Sequence, residues 1–261
     1  MTNPSPKQPV TGRTRTLVVT IDKLLLGFTR HWLAVVNILL ALYIGLAMLA
    51  PVLMAGGYSG PANALYRFYG PFCHQMAFRS FFIFGDQYAY PRELAGTRLV
   101  PFETYAATLP EFAGISPADT NRFFLQARSF LGNMTMGYKS ALCQRDLAIY
   151  GMMLLAGLVY GLVRRYRPVK QLPIVAFLLL GIFPIGWDGF SQLFGYFFEL
   201  IPGAGALAAL FPVRESTPFL RVLTGSLLGI ALVWLLYPHL EDGLGRTRAE
   251  LERKLGRAGE L

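Results

Sequence analysis

A chain of 261 residues that is 54% hydrophobic, 14% aromatic and only 15% charged, with a mean hydropathy of +0.43, is too apolar for a soluble globular domain. Its net charge of +9 would suit a nucleic-acid binder, but the basic residues stand in short runs beside apolar stretches, the pattern that orients membrane proteins. No nucleic-acid motif accompanies the charge.

Residues 1–32 form a basic segment with Lys7, Arg13, Arg15, Lys23 and Arg30. A first span follows at 33–55, interrupted by Asn37 and Pro51, long enough for a hydrocarbon core that needs about 20 apolar residues. The long connection 56–145 mixes aromatics with turns. Within it "NALYRFYGPF" and "FRSFFIFG" predict interfacial segments with rings at headgroup level. "ISPADTNRFFLQARSFLGNM" predicts an amphipathic helix capped by Ser116 or Asp119, with Phe123, Phe124, Ala127 and Phe130 along one side. Such a loop is either a lid over a site or a packed cap on the bundle.

The second span, 147–163, runs straight into "RRYRPVK". The third, 172–201, is apolar but broken inside by "FPIGWDGFSQ". The fourth, 219–237, opens on Ser216 or Thr217 as N-cap with Pro218 in the first turn. The tail from Glu241 predicts a short solvated helix carrying i, i+4 ion pairs. This is an all-α polytopic protein with four transmembrane helices: a basic segment 1–32, a membrane domain 33–240 and a charged tail 241–261. The Lys/Arg runs at 1–32, 164–170 and the tail put both termini in the cytoplasm of a cell that holds the protein in its plasma membrane. The 56–145 loop is then extracytoplasmic, and the bilayer is the expected partner.

The polar residues collect on that outer side. Cys73 and His74 are adjacent, and Cys143 lies 70 residues later. Two readings stand. One is a Cys73–Cys143 disulfide, which an oxidising compartment and just two cysteines favour. The other is a zinc or copper site, for which thiolate and imidazole are good ligands; Asp146, three residues after Cys143 at a helix start, shares its face. Asp188 and Gln192 are four apart within an apolar run, where an ionisable group marks a functional candidate, here for catalysis. Against that, Asp188 is equally suited to pair with an arginine or with backbone loosened around Pro184, Gly186 and Gly189. Arg79, Arg145, Arg214 and Arg221 stand at the same level, a set able to bind phosphate or carboxylate. The alternative is that Arg145, Asp146, Asp188, Glu215 and Arg221 neutralise one another between helices. His31 and His239, at the inner ends of helices, carry no assignment.

"FCHQMAFRSFFIFG", "LCQRDLAIYG", "DGFSQ" and "RESTPFLRVLTG", in that order, resemble a family of small multi-pass membrane proteins of bacteria and archaea classified only as a domain of unknown function. The resemblance places Cys73, His74, Arg79, Cys143, Arg145, Asp188, Gln192, Ser216 and Thr217 at motif positions. It departs in two places: Asp146 stands where the family pattern has a further thiol, and roughly 45 extra residues, about 90–139, separate the cysteine segments. The harder carboxylate weakens the ligand set without removing it.

Three functional classes follow. A metal-binding protein acting on an anionic outer-leaflet ligand would use Cys73, His74, Cys143 and Asp146 or Asp188 around one ion, with the arginines on the anion. A non-catalytic accessory subunit would pack through the small residues of "GMMLLAGLVYG" and "GSLLG". A transporter fits less well, since the inner halves of the spans are sealed by Leu, Ile and Val and no inverted repeat is present. No nucleotide loop, Ser-His-Asp order, zinc-protease helix or haem-attachment motif occurs.

Overall fold

The structure is a computed structural model and describes residues 12–261; Lys7 and the rest of residues 1–11 lie outside it. In chain order the elements are α1 (Gly12–Ala55), α2 (Ser59–Tyr69), β1 (Ser80–Ile83), α3 (Phe102–Ala106), α4 (Thr120–Ser129), β2 (Gly132–Asn133), β3 (Gly137–Cys143) and α5 (Gln144–Val163). Then come α6 (Ile174–Leu200), α7 (Gly205–Leu210) and α8 (Pro218–Arg257). Helices α1, α5, α6 and α8 are long and apolar enough to cross a membrane, as expected of an all-α polytopic protein.

Two spans are much longer than the apolar runs imply. At 1.5 Å per residue, the 44 residues of α1 reach about 66 Å and the 40 of α8 about 60 Å, twice a hydrocarbon core of roughly 30 Å. The excess pairs at one end of the molecule. Leu26 of α1 packs on Leu251 and Leu255 of α8, flanked by Lys254–Asp22 at 2.7 Å, Arg30–Glu252 at 2.7 Å and Lys23–Glu260 at 3.1 Å. The tail is therefore the end of α8, not a separate solvated helix, because its leucines have an apolar stripe on α1 to cover. Exposed ion pairs of this kind each contribute little; the leucines set the register.

Helix α6 is continuous where a break was expected. Pro184 cannot donate to the preceding turn, and a wide π-type turn at Leu178–Ile182 absorbs the mismatch just before it. The most extensive helix interface is α5 on α8, and it is made close by glycine. A Cβ at Gly225 would stand 2.7 Å from the Arg145 carbonyl oxygen, and one at Gly229 would collide with the Ile149 carbonyl. Helix α6 rests on α8 and leaves Leu179, Phe190 and Leu193 exposed, the surface a lipid-facing helix presents.

The long connection folds into a cap with its own core of Phe78, Phe82, Tyr90, Phe102, Phe112, Phe123, Phe130 and Met136. "FRSFFIFG" is thus not mainly an interfacial belt. Ser80–Ile83 forms a strand antiparallel to β3, with Ser80 opposite Cys143 and Phe82 opposite Lys139; alternation turns Phe82 into the core. Helix α4 matches expectation, with Asp119 as cap, its Oδ1 accepting from the Arg122 N–H at 3.2 Å, and Phe123 and Ala127 buried. Ser116 instead accepts from the Ala118 N–H. A second cluster, Ala47, Ala50, Tyr66, Tyr69, Ala141 and Leu142, seats the cap on the end of α1.

Candidate metal and anion site

Strand β3 runs directly into α5, so Cys143 is both the last strand residue and the N-cap of a membrane-spanning helix. Its sulfur accepts from the Asp146 N–H at 3.5 Å, and its own N–H donates to Cys73 Sγ at 3.2 Å. Cys73 is held by its N–H on the Tyr69 carbonyl at 3.0 Å. Two residues on, Gln75 takes a left-handed φ of 52° that its amide secures by donating to the carbonyls of Tyr66 (2.9 Å) and Ala141 (2.8 Å). Lys139, with no exposed surface, donates from Nζ to the carbonyls of Gln75 and Arg128, both at 2.6 Å. Neither Gln75 nor Lys139 was singled out from sequence. The only available signals were the glutamine of "CHQ" and a lysine inside an apolar strand.

A ligand atom from each of Cys73, Cys143 and Asp146 lies within 4.8 Å of the other two. His74, adjacent in sequence, is exposed and stands outside that group. Both cysteines are free thiols. The proximity of the two thiols drives their proton affinities apart: Cys143 raises Cys73, with burial adding to the rise, and Cys73 lowers Cys143. The lowered member, Cys143, is the one whose sulfur sits at a helix N-terminus, where a thiolate is favoured. Burial pushes the Lys139 ammonium down to about 7.

Cys73, Cys143 and Asp146 line a cavity of about 560 Å³, together with His74, Arg79, Arg145, Gln192, Tyr196 and Arg221 among others. Behind the wall lie two buried carboxylates. Asp188 on α6 accepts from Arg145, from Arg214 Nη2 at 3.0 Å and from the Ser216 hydroxyl at 2.8 Å. Glu215 accepts from Arg79 and from Arg221 Nη2 at 2.5 Å, while Arg221 also donates to the Phe78 carbonyl at 3.2 Å. Gln192 accepts from the Ser216 N–H at 3.1 Å and donates to the Asp188 carbonyl at 2.6 Å. The mutual neutralisation anticipated for Asp188, Glu215, Arg145 and Arg221 is present, and both catalytic candidates have their polar atoms engaged. Asp146 is not in that network. Thr217, not Ser216, caps α8, accepting from the Leu220 N–H at 3.1 Å.

Neutralisation is incomplete. Four guanidiniums, those of Arg79, Arg145, Arg214 and Arg221, surround two carboxylates. Nε of Arg145 is buried with no partner among the described residues. Arg79, Arg145 and Arg221 border the cavity, whereas Arg214 lies on the other side of Asp188.

Cys73, Cys143 and Asp146 each offer one ligand atom and are placed so that together they could hold a metal ion.

Uncharacterized protein MJ1492 of Methanocaldococcus jannaschii is 28% identical over 102 residues, 39% of this chain and 54% of that protein. The match thus spans about half the relative's length. No solved structure matches the chain. Residues 125–235, which hold Cys143, Arg145, Asp146, Asp188, Gln192, Arg214 and Arg221 but not Cys73, His74 or Arg79, match the family described as predicted membrane protein (DUF2085).

Proposed function

We propose that the protein is a metal-binding membrane protein whose cap cavity receives an anionic group, with the cap outside the plasma membrane and both termini in the cytoplasm. The observation that carries this reading is the convergence of Cys73, Cys143 and Asp146 within 4.8 Å in the lining of a cavity bordered by three arginines. Cys143, Cys73 and Asp146 would hold zinc or copper(I). His74 supplies a further donor at the cavity wall. A bound zinc supplies Lewis acidity there.

The arginines supply the rest. Arg145 and Arg221 are fixed by Asp188 and Glu215, so their remaining N–H donors meet an entering anion without reorganising. Asp188 and Gln192 act as positioning residues: their contacts hold Arg145 and Ser216 in place. Pairing of α1 with the far end of α8 supports an even number of crossings, and the arginines of 164–167 support the cytoplasmic assignment of that end.

Cobalt(II) is the direct spectroscopic probe. Added to reduced, detergent-purified protein, it is expected to give a sulfur-to-cobalt charge-transfer band that Cys143→Ser abolishes and Asp146→Asn weakens. An absorption spectrum without that band would overturn the reading.

A further inference from the structure

A second hollow, of about 660 Å³, lies on the other side of Asp188. Trp187 and Pro184 of α6 line one side, Leu220, Leu223 and Leu227 of α8 another, and Leu210, Phe211 and Pro212 a third. Leu220 to Leu227 is two helical turns, about 10 Å along the axis, and Pro184 to Ser191 is the same length, so the hollow is a trough running along both helices. Trp187 and Leu223 are exposed, so the hollow is open on the outer surface of helices long and apolar enough to cross a membrane. The Thr224 hydroxyl is spent on the Leu220 carbonyl at 2.9 Å.

The polar end belongs to Arg214. Its contacts to protein all run through Nη2, to the Asp188 carbonyl at 3.3 Å, Asp188 Oδ1 at 3.0 Å and Ser191 Oγ at 2.5 Å. Nε and Nη1 have no protein acceptor among the described residues. Asp188 is shared with Arg145, so one carboxylate faces two guanidiniums and the end of the trough carries a net positive charge. An apolar channel with an only partly compensated guanidinium at one end is complementary to an amphiphile with a negative head, and the fork of Arg matches phosphate.

We propose that this trough binds one anionic phospholipid of the surrounding bilayer, with an acyl chain between α6 and α8 and its phosphate on Nε and Nη1 of Arg214. The site is separate from the metal group and does not depend on it. Its occupant comes laterally from the membrane, not from the aqueous cavity.

Protein in nanodiscs of equal phosphatidylglycerol and phosphatidylcholine, released into a mass spectrometer, reports the lipid retained per chain. Wild type is expected to keep one phosphatidylglycerol with about a tenfold preference over phosphatidylcholine, about 1.4 kcal/mol: both lipids offer a phosphate to Arg214, but the choline cation is repelled by the net positive end of the trough. Arg214→Gln loses the preference. Leu223→Trp, at an exposed position, fills the trough and loses the lipid, while Cys143→Ser keeps it, which separates this result from the metal's. Equal retention of the two lipids by wild type, an unchanged adduct in Leu223→Trp, or a two-chain species in place of the adduct would overturn the proposal.

Discussion

Asp188 and Asp146 are carboxylates in the same polar end of one apolar bundle, yet their surroundings differ in kind. Asp188 is 2% exposed and takes hydrogen bonds from two arginines and a serine. Asp146 is half-buried, makes no ion pair among the described residues, and faces two sulfurs. The more buried charge is the saturated one, its oxygens engaged by Arg145, Arg214 and Ser216. Acceptor capacity remains at the second carboxylate, which could contribute to holding a metal ion. Burial of an ionisable group inside a membrane protein thus marks a polar site without saying which member of it does chemistry.

The comparison breaks hardest at the buried carboxylates. Glu215→Ala leaves Arg79 and Arg221 without their carboxylate, and Arg221 is 3% exposed. Losing one partner of such a buried pair costs about 3–5 kcal/mol, read as a lowered thermal midpoint in detergent. Gly229→Val attacks the seam that joins the two regions, since its side chain meets the Ile149 carbonyl. Overpacking of this kind costs about 1–3 kcal/mol, and the displaced start of α5 is expected to lower the cobalt signal as well.

A smaller effect comes from Lys139, whose pKa falls from 10.5 to about 7 on folding because burial disfavours the ammonium. Between those values the unfolded chain binds more protons than the folded one, so this residue makes stability rise with pH from about 7 toward 10.5 and contributes no slope below about 7. The wild-type midpoint is expected to gain more between pH 7 and 9 than that of Lys139→Met; equal gains would contradict this account of its burial. The smallest stability change belongs to Asp146→Asn, within about 0.5 kcal/mol, although its metal affinity is expected to fall by at least about tenfold in chelator competition, the scale seen when groups supporting a metal site are altered. That split between stability and affinity would sharpen the contrast with Asp188.

The spans, their number and the shared end of the termini were legible because long apolar runs and Lys/Arg runs are local signals. The length of α1 and α8 was not, since their extensions depend on Leu26 meeting Leu251 and Leu255, a contact more than 220 residues apart in sequence. The strand pairing of "SFFI" with "GYKSALC" was missed for the same reason. At the site, Cys73, Cys143, Asp146 and the four arginines were visible as residue types on one side of the membrane. Which arginine serves which carboxylate was not: Arg214 and Arg221 lie on opposite sides of the Asp188–Glu215 pair only because Ser216 turns back to Asp188 while Thr217 starts the helix. His74 was read from sequence as one ligand of a set with Cys73, Cys143 and Asp146, but it is exposed at the cavity wall and outside the group those three form.

The most direct test is elemental analysis of the purified protein with thiol counting on the same sample, for wild type and Cys143→Ser. Near one equivalent of zinc or copper per chain, with both thiols shielded until a chelator is added and the metal lost in the variant, is the predicted result. Metal-free protein with Cys73 and Cys143 oxidised to each other would contradict the account.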